Sequence, residues 1–550
     1  MATSELLGNA SAGDASVLVT AKLARALPAA CCGAYATKER SPWVLSVRVL
    51  QTKSDADLTQ LKWHCRHSVT ASKQWHTQWF DAHDVCCVKK AADANAVLGR
   101  GPHEQPFEVE NENRVELWTS PALGRFTLAK QHIAAGQCAL KATAFAVVVK
   151  QQLARKRCHW CFGVLTKKAF QCGDCKFALY CSRDCLDADE VLHGFQCRTL
   201  EQLADDNSSS SNRAEMAQLK ASWETVGIDT ETLRLTLAVL SMENFVRTTT
   251  PLAQLVTNSS SARKNKQILA QVASFLVAGI TSANNSQSDH LAQVATLSHV
   301  RQTLERVQSN AHPLCLDGMT TVGVGVFPEA AMALNHSCLP NIVPSFDTMT
   351  RTLAFHAIRD IAPGHAVEYA YIDLFQATAR RQEALADGFS FACSCWRCAN
   401  EPQARPLSPK EEEEESVVMR QLLQLHSSDQ LHRNHHSQQQ QQQSLLAEEL
   451  FRRHRGVLER SPEMLFAYHM LQMKHAASER RWPRVISVAE TLMNMWSALA
   501  LPRVYPTMEV LHLQVQIAAE QAGNTARAAL AKARILEIRR ICGYDRYMEG

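Results

Sequence analysis

The stretch Asn335-His336-Ser337-Cys338-Leu339-Pro340-Asn341 places two amides, an imidazole, a hydroxyl and a thiol within seven residues. Apolar sequence flanks it on both sides, at 322–327 and 330–334. Such a density of polar groups is uncommon in a hydrophobic core, because each buried polar group needs a hydrogen-bond partner. It is also uncommon in a surface turn with apolar flanks. The stretch predicts either a polar backbone crossing at a functional site or a simple loop between two strands.

Two further motifs follow the first along the chain. Glu368-Tyr369-Ala370-Tyr371 comes about 30 residues later, and Cys393-x-Cys395-x2-Cys398 comes after it. Short motifs carry little weight singly, but three in a fixed order are specific. Together they resemble the core of a SET-domain protein-lysine methyltransferase.

This resemblance implies a role for each motif. Asn335, His336 and Tyr371 are expected to bind S-adenosylmethionine, and Tyr371 also to stand beside the transferred methyl group as the catalytic residue. Cys338 is expected to share one zinc ion with Cys393, Cys395 and Cys398. The family's remaining cofactor contacts correspond here to Gly124, Arg125, Asn310 and Phe391.

The overall composition is that of an ordinary soluble protein. Its 550 residues are 46% hydrophobic and 20% charged, with a net charge of +4 when histidine is neutral. This charge is too small to indicate nucleic acid or a membrane surface as a partner. The apolar runs at 145–149 and 275–280 are too short to span a bilayer, and the N-terminus shows no secretory signal. The length predicts more than one domain.

Cysteine usage is the other compositional signal. The chain has 19 cysteines, and most stand in closely spaced pairs. Without a secretory signal, they indicate zinc sites in a reducing compartment rather than disulfides. The expected location is therefore the cytoplasm, the nucleus or both.

The densest cysteine pattern occupies residues 158–197. Its candidate ligands are Cys158-x2-Cys161, Cys172-x2-Cys175, Cys181-x3-Cys185 and His193-x3-Cys197. Eight such ligands suffice for two four-coordinate zinc sites. A segment of about 40 residues with few large apolar side chains could not fold without metal.

This segment resembles a MYND zinc finger, including the step Tyr180-Cys181-Ser182. The resemblance implies interleaved sites: Cys158, Cys161, Cys181 and Cys185 on one zinc, and Cys172, Cys175, His193 and Cys197 on the other. Its basic residues favour a solvated face over direct nucleic-acid binding. MYND fingers commonly bind proline-containing peptides, so a protein partner is the functional alternative.

A MYND finger inserted after a first SET segment is the layout of the SET- and MYND-domain (SMYD-type) methyltransferases. The implied fold class is α+β: a β-rich SET domain split by the finger and a helical insertion, a post-SET zinc site and a helical TPR-like C-terminal domain. The expected divisions are an extension of unclear fold at 1–111, a first SET segment at 112–157, the finger at 158–197, the helical insertion at 198–309, the core SET domain at 310–376, the post-SET zinc region at 377–400, a low-complexity linker at 401–445 and the TPR-like domain at 446–550.

Several local patterns give more specific expectations. The VGVGVF segment at 322–327 predicts a strand rather than a phosphate-binding loop, because no helix N-terminus follows it. His312 stands where the family often has an aromatic residue lining the lysine channel, and Phe389 where some members have tyrosine. In the N-terminal extension, 43–50 predicts a strand and 58–63 a helix.

Two functions of different classes remain open. The first is an S-adenosylmethionine-dependent protein-lysine N-methyltransferase, with a histone or non-histone substrate, whose apolar channel favours the neutral lysine amine. The second is a non-catalytic MYND/SET adaptor or transcriptional corepressor that binds proline-containing peptides. The turn around Gly124 has lost much of the family's glycine-rich pattern, which favours the adaptor, whereas the intact motifs at 335–341 and 393–398 favour the enzyme.

Overall fold

The computed structural model describes the backbone of residues 17–23, 44–53, 62–69, 75–81 and 85–90, and residues 114–120, 124–203, 210–246, 250–258, 265–283, 289–318, 320–401, 408–427 and 436–544. It divides into two compact units. The first comprises Met1–Ile133, Ala333–Asn335 and Asp360–Glu368, and the second comprises Ala134–Met332, His336–Arg359 and Tyr369–Gly550.

The N-terminal part of the first unit is a five-stranded antiparallel sheet. In spatial order its strands are Trp75–Asp81, Lys62–Val69, Val44–Lys53, Val17–Leu23 and Val85–Lys90. The strand expected near 43–50 is therefore present. The helix expected at 58–63 is wrong at residues 62 and 63, which belong to a strand, whereas 58–61 lie outside the described residues.

The rest of the first unit brings together three separate chain segments. Strands Val115–Ser120 and Gly124–Ala129 form a hairpin, and Trp118, Phe126 and Leu128 pack with Ala366. The segment 360–368 runs along the second strand, with hydrogen bonds such as Ala129 N to His365 O at 2.9 Å. The hydroxyl of Thr127 donates to the carbonyl of Ala333. This threading places residues 333–335 against the first SET segment.

Two three-stranded antiparallel sheets form the β part of the second unit. One orders its strands Ala311–Cys315, Thr321–Val326 and Ala146–Val149. The other orders Ile342–Asp347, Thr352–Ala357 and Cys138–Thr143. In each sheet, two strands from 310–376 pair with one strand from 112–157. The finger and the inserted helices lie between these two segments in the sequence. The strand expected at the VGVGVF segment is confirmed.

The strand Thr321–Val326 needs glycine at position 323, because the paired strand leaves no room there for a side chain. An added Cβ would lie 2.2 Å from the Val148 carbonyl oxygen and 3.0 Å from the Phe162 ring. The first contact is with backbone on the paired strand, which cannot turn away. We therefore expect Gly323→Ala to destabilise the protein by about 2–3 kcal/mol, in the range of overpacked cores. Chemical unfolding followed by circular dichroism would measure this.

Gly456 provides the matched control. It lies in the helix His436–Arg460, and an added Cβ there would meet no atom within 4 Å. Gly456→Ala should be neutral or stabilising by up to about 1 kcal/mol, as helix propensity predicts. Equal effects of the two substitutions would show that strand crowding at Gly323 is not the cause.

The finger and the helical insertion form the second part of this unit. A short hairpin of Phe170–Gln171 and Leu179–Tyr180 precedes the helix Arg183–Leu203. The helices that follow are Ser210–Glu224, Thr230–Val246, Thr250–Ala253, Lys266–Ala283, Asp289–Val294 and Leu297–Asn310. The helical pattern over 289–309 predicts a single helix, but the structure has two, Asp289–Val294 and Leu297–Asn310. The second begins anew because the Thr296 side chain caps it, accepting a hydrogen bond from His299 N.

The C-terminal part is helical. After Pro328–Ala333, Thr378–Phe389 and Trp396–Asn400, the helices are Pro409–Ser427, His436–Arg460, Pro462–Ser478, Trp482–Ala498, Pro506–Gln521 and Thr525–Cys542. Buried side chains of the last four of these helices share one core with Leu374, Phe375 and Leu385. The α+β fold class is confirmed. No helix among the described residues is long and apolar enough to cross a membrane.

The region expected to be a low-complexity linker differs from that expectation. Helix Pro409–Ser427 contains the Glu run, and helix His436–Arg460 contains the Gln run. Glu and Gln are good helix formers, and Ser408 with Glu411 forms a reciprocal cap. Packing completes the explanation, because buried side chains of the first helix, Val418 and Leu422, lie in a core with residues of the second.

Candidate active site and zinc centres

Three groups of cysteine and histidine come together as the sequence predicted. They are Cys158, Cys161, Cys181 and Cys185; Cys172, Cys175, His193 and Cys197; and Cys338, Cys393, Cys395 and Cys398. Within each group the ligand atoms lie within 4.8 Å of one another. Four sulfur or imidazole donors at this separation are the closed set that a structural zinc ion takes. The three clusters therefore match three zinc ions, and the interleaved pairing in the finger is confirmed.

The finger is fixed to the β part of its unit by side chains at its first zinc knuckle. The Arg351 guanidinium lies 3.6 Å from the centroid of the Trp160 ring and donates to the Trp160 carbonyl oxygen at 2.5 Å. Phe162, which is fully buried, packs edge-on against Phe346 with ring centroids 5.4 Å apart. A cation over an indole face and a buried aromatic pair are both favourable contacts. The finger is thus part of the core of this unit.

Two neighbouring residues of the helix Thr378–Phe389 support the third cluster. The buried Arg381 points its Nε at Cys338 Sγ, 3.3 Å away, and pairs with Glu401 at 2.6 Å. Gln382 bonds both backbone groups of Cys393, accepting from its N–H at 2.8 Å and donating to its carbonyl at 2.7 Å. Four thiolates on one Zn²⁺ leave a net negative charge, which a buried guanidinium partly balances. Contacts of this kind orient metal ligands.

His336 joins the third cluster to the candidate catalytic tyrosine. Its Nδ1 accepts the backbone N–H of Tyr371 at 3.0 Å, and its Nε2 lies 3.2 Å from Cys338 Sγ. Burial lowers the pKa of His336 to about 4, so the ring is neutral near pH 7. Because Nδ1 accepts, the proton of the neutral ring belongs on Nε2, facing the sulfur.

Tyr371 sits among aromatic rings, two residues beyond the short strand Glu368–Tyr369. Ring-centroid distances from Tyr371 are 4.9 Å to Tyr369, 4.9 Å to Phe389, 5.4 Å to His336 and 6.4 Å to Phe391. Tyr369 in turn contacts two more rings, with centroid distances of 5.3 Å to Phe355 and 5.8 Å to His312. The sequence pattern at 366–371 predicts a strand with both tyrosines on one face. The strand covers two residues, Glu368–Tyr369, and the two tyrosine rings lie close together. These aromatic rings form an apolar surface around Tyr371 that could line an apolar channel.

The first unit holds the other part of the first motif. The side-chain amide of Asn335 donates to the Arg125 carbonyl oxygen at 2.8 Å. Gly124, directly before Arg125, has a φ of +63°, in the left-handed region that glycine tolerates best. An added Cβ at Gly124 would meet no atom within 4 Å. The space beside the Gly124 Cα is therefore open.

The side-chain amide of Asn310 forms hydrogen bonds within the protein. Asn310 ends the helix Leu297–Asn310, and its amide nitrogen donates to the carbonyls of Val256 and Arg306, each at 2.8 Å. Its own carbonyl lies 3.0 Å from Nδ1 of His312. These bonds fix the start of the strand Ala311–Cys315. Its assignment to the cofactor stays a prediction.

With this geometry established, similarity to known proteins is informative. The MYND finger family matches residues 158–197. Over 298 residues the chain is 26% identical to the N-lysine methyltransferase SMYD2 of Homo sapiens, covering 54% of this chain and 62% of that protein. It is 25% identical to the Sus scrofa protein of that name over 296 residues, with 54% and 62% covered. It is also 25% identical to N-lysine methyltransferase SMYD2-A of Xenopus laevis over 293 residues, with 52% and 61% covered.

Over about half of its length the chain is similar to these N-lysine methyltransferases. It spans about three fifths of the length of these curated relatives. The described residues contain the matched finger at 158–197, helices after it and a third cysteine cluster between 338 and 398.

Sequence reasoning missed three residues that support the finger and the third cysteine cluster. Arg381 and Gln382 belong to an ordinary-looking charged helix, TARRQEALADGF, and no spacing rule separates a buried arginine there from an exposed one. The interaction of Arg351 with Trp160 was also missed, since it joins a hairpin turn to the finger across 191 residues. The sequence offered no signal for that contact.

Proposed function

We propose that the chain is an S-adenosylmethionine-dependent protein-lysine N-methyltransferase. The hydrogen bond from Tyr371 N–H to His336 Nδ1 carries the proposal, because it ties the candidate catalytic tyrosine to the motif at 335–341. The similarity to N-lysine methyltransferases supports the same activity.

The residues assigned to the cofactor have different tasks. When bound, S-adenosylmethionine supplies an electrophilic methyl group on a sulfonium. The family resemblance assigns its binding to Gly124, Arg125, Asn310, Asn335, His336, Tyr371 and Phe391. His336 presents a neutral ring, and Gly124 leaves its backbone open to close approach.

The aromatic residues around Tyr371 would serve the lysine. A lysine amine reacts only when neutral, and its ordinary pKa is about 10.4. Apolar rings exclude water and favour the neutral form. Burial, with the nearby Tyr371 second, holds the pKa of Tyr369 well above its usual value, so its hydroxyl stays protonated. Holding the amine in line with the methyl–sulfur bond supplies much of the acceleration in such reactions.

Calorimetric titration of the zinc-loaded full chain with S-adenosylmethionine tests this proposal. We expect saturable binding with one site per chain, and methyl transfer from labelled cofactor to at least some lysine peptides on an array. Absence of heat at millimolar cofactor would favour the adaptor function instead. In that case proline-containing peptides should still bind the finger.

The partners and location follow from the same parts. We propose protein lysines, histone or non-histone, as substrates, and a proline-containing peptide as a ligand of the finger. Three thiolate-rich clusters need reduced cysteines, which favours the cytoplasm or nucleus.

A further inference from the structure

The five-stranded sheet of the N-terminal part has two faces of opposite character. Directly paired residues of neighbouring strands lie on the same face of a sheet, and successive residues of one strand alternate between the faces. The register places mainly apolar residues on one face, including Val19, Ala21, Leu45, Val47, Val49 and Val88. Folding buries the apolar face of such an amphipathic sheet, so the opposite face is the one left for a partner.

That opposite face carries the charge of the sheet. The paired positions assign to it six basic residues and one carboxylate: Lys22, Arg48, Lys53, Lys62, Arg66, Lys89 and Asp81. The five strands together contain seven lysines and arginines against this one carboxylate, a net charge of +6. The whole chain carries only +4, so its total charge gives no indication of this basic face. Basic residues collected on one face are the electrostatic footprint of nucleic-acid binding.

The basic face also contains two pairs of like charge. Arg48 lies directly opposite Arg66, and Lys53 lies directly opposite Lys62, on the paired strands Val44–Lys53 and Lys62–Val69. Like charges at directly opposite positions destabilise a sheet. Asp81, which is paired with Lys62, can offset only one of these four charges. A bound polyanion would relieve the repulsion that remains, because it supplies a row of negative charges.

Two tryptophan residues indicate which kind of polyanion fits this face. Trp75 and Trp79 lie on the edge strand Trp75–Asp81, and their paired positions are Ser68 and His64 of the basic face. Four steps along a strand separate them by about 14 Å. Cations for the phosphates together with aromatic residues for the bases are typical of surfaces that bind single-stranded nucleic acid. A duplex keeps its bases stacked inside, and an acidic peptide has no bases.

We propose that the basic face of this sheet, with Trp75 and Trp79 at its edge, binds single-stranded RNA. The cations contact phosphates and the tryptophans stack on bases, so binding tolerates many sequences. RNA is the single-stranded nucleic acid available in the cytoplasm and the nucleus, the compartments proposed above. This function is additional to methyl transfer and does not depend on it.

The experiment uses the zinc-loaded full chain and a fluorescein-labelled RNA of about 15 uridines, within the usual range of site sizes. Fluorescence anisotropy gives its affinity at salt concentrations from about 50 to 200 mM. If four to six phosphates are neutralised, the logarithm of affinity should fall with that of salt with a slope of about −3 to −4. An RNA duplex, polyphosphate and polyglutamate of similar charge should each bind roughly tenfold more weakly or worse.

A charge-removing variant tests the basic face itself. Arg48→Gln combined with Arg66→Gln should reduce the salt slope by about 1.4 and weaken RNA binding roughly tenfold or more. Thermal stability should stay equal or rise, because a like-charge pair is removed. Lys167→Gln combined with Lys168→Gln is the matched control. It removes the same charge from exposed positions of the finger and should leave RNA binding unchanged.

The tryptophans are tested separately from the charges. Trp75→Leu combined with Trp79→Leu should weaken RNA binding roughly tenfold or more while leaving the salt slope unchanged. Should this variant not fold, the comparison of RNA with polyphosphate, which has no bases, decides the same point.

Four results would overturn the proposal. They are absence of RNA binding at the lowest salt, loss of binding in the finger variant but not in the Arg48 and Arg66 variant, equal binding of duplex or polyphosphate, and equal binding of polyglutamate. The last would identify an acidic protein as the partner. A thymidine DNA of the same length that bound roughly tenfold more tightly would identify DNA and overturn the choice of RNA.

Discussion

Tyr371→Phe is expected to lower methyl transfer by roughly 10²-fold or more, the scale of losing one preorganised hydrogen-bonding group. The substitution keeps the ring, so its packing on Tyr369 and Phe389, each 4.9 Å away, is retained. The backbone N–H that donates to His336 is also retained. Cofactor affinity and thermal stability should hardly change. Turnover measured with labelled cofactor on an array-selected peptide, together with calorimetry, separates these quantities.

Tyr369→Phe is the matched control. Tyr369 is two residues earlier and points into the same aromatic cluster, so it is the natural alternative for the catalytic role. We expect the Tyr369 variant to keep more activity than the Tyr371 variant. The opposite order would move the assignment by one strand repeat. Full activity in both would remove the catalytic role from this strand altogether.

Cys395→Ser is expected to reduce the zinc content of the purified protein from three ions per chain to two. Loss of a ligand should exceed the roughly 10–100-fold loss of metal affinity that outer-shell mutations cause. The finger should stay folded, because its eight ligands form separate clusters. Cofactor affinity should also fall, since His336 Nε2 lies 3.2 Å from Cys338 Sγ of the damaged site. Metal analysis by mass spectrometry and calorimetry would measure both effects.

Cys315→Ser controls for the loss of a thiol. Cys315 lies outside the three clusters, with its sulfur 3.6 Å from the Thr321 hydroxyl. Three zinc ions should remain in this variant. Two or fewer zinc ions in the unaltered protein, prepared without chelators, would contradict the assignment of the third site.

The zinc ligands were predictable because their chemistry restricts both residue type and local spacing. Closely spaced cysteine pairs have few other uses in a reducing compartment, so spacing indicated most of the ligands, whereas Cys338 stands in no pair and was assigned from the family resemblance. The VGVGVF strand was predictable because β-branched residues alternate with glycine, although the expectation that no helix follows it was wrong: Pro328–Ala333 is a helix. These are signals within about ten residues of sequence.

Contacts between distant segments were not predictable in this way. The guanidinium over the Trp160 ring belongs to Arg351, and the acceptor for the Asn335 amide is the carbonyl of Arg125, 210 residues earlier. Nothing in the local sequence distinguishes these residues from exposed ones.

The helices that contain the Glu and Gln runs show a second way in which prediction from sequence fails. Composition alone indicated a solvated linker, because low-complexity polar sequence usually has no core to join. Here the apolar residues Val418 and Leu422, just beyond the Glu run, are buried in a core with the helix that carries the Gln run. A few apolar positions were enough to reverse the compositional expectation.

The pairing of Ala146–Val149 with Thr321–Val326 has a consequence for synthesis of the chain. Val149 leaves the ribosome about 170 residues before its partner Gly323. At typical translation rates of about 5–20 residues per second, the strand waits on the order of ten to thirty seconds with an unpaired edge. The finger and insertion helices emerge during this interval, and zinc capture can fold the finger before the sheet exists. Zinc-starved translation should therefore expose this edge to chaperones and aggregation while the sheet is still incomplete.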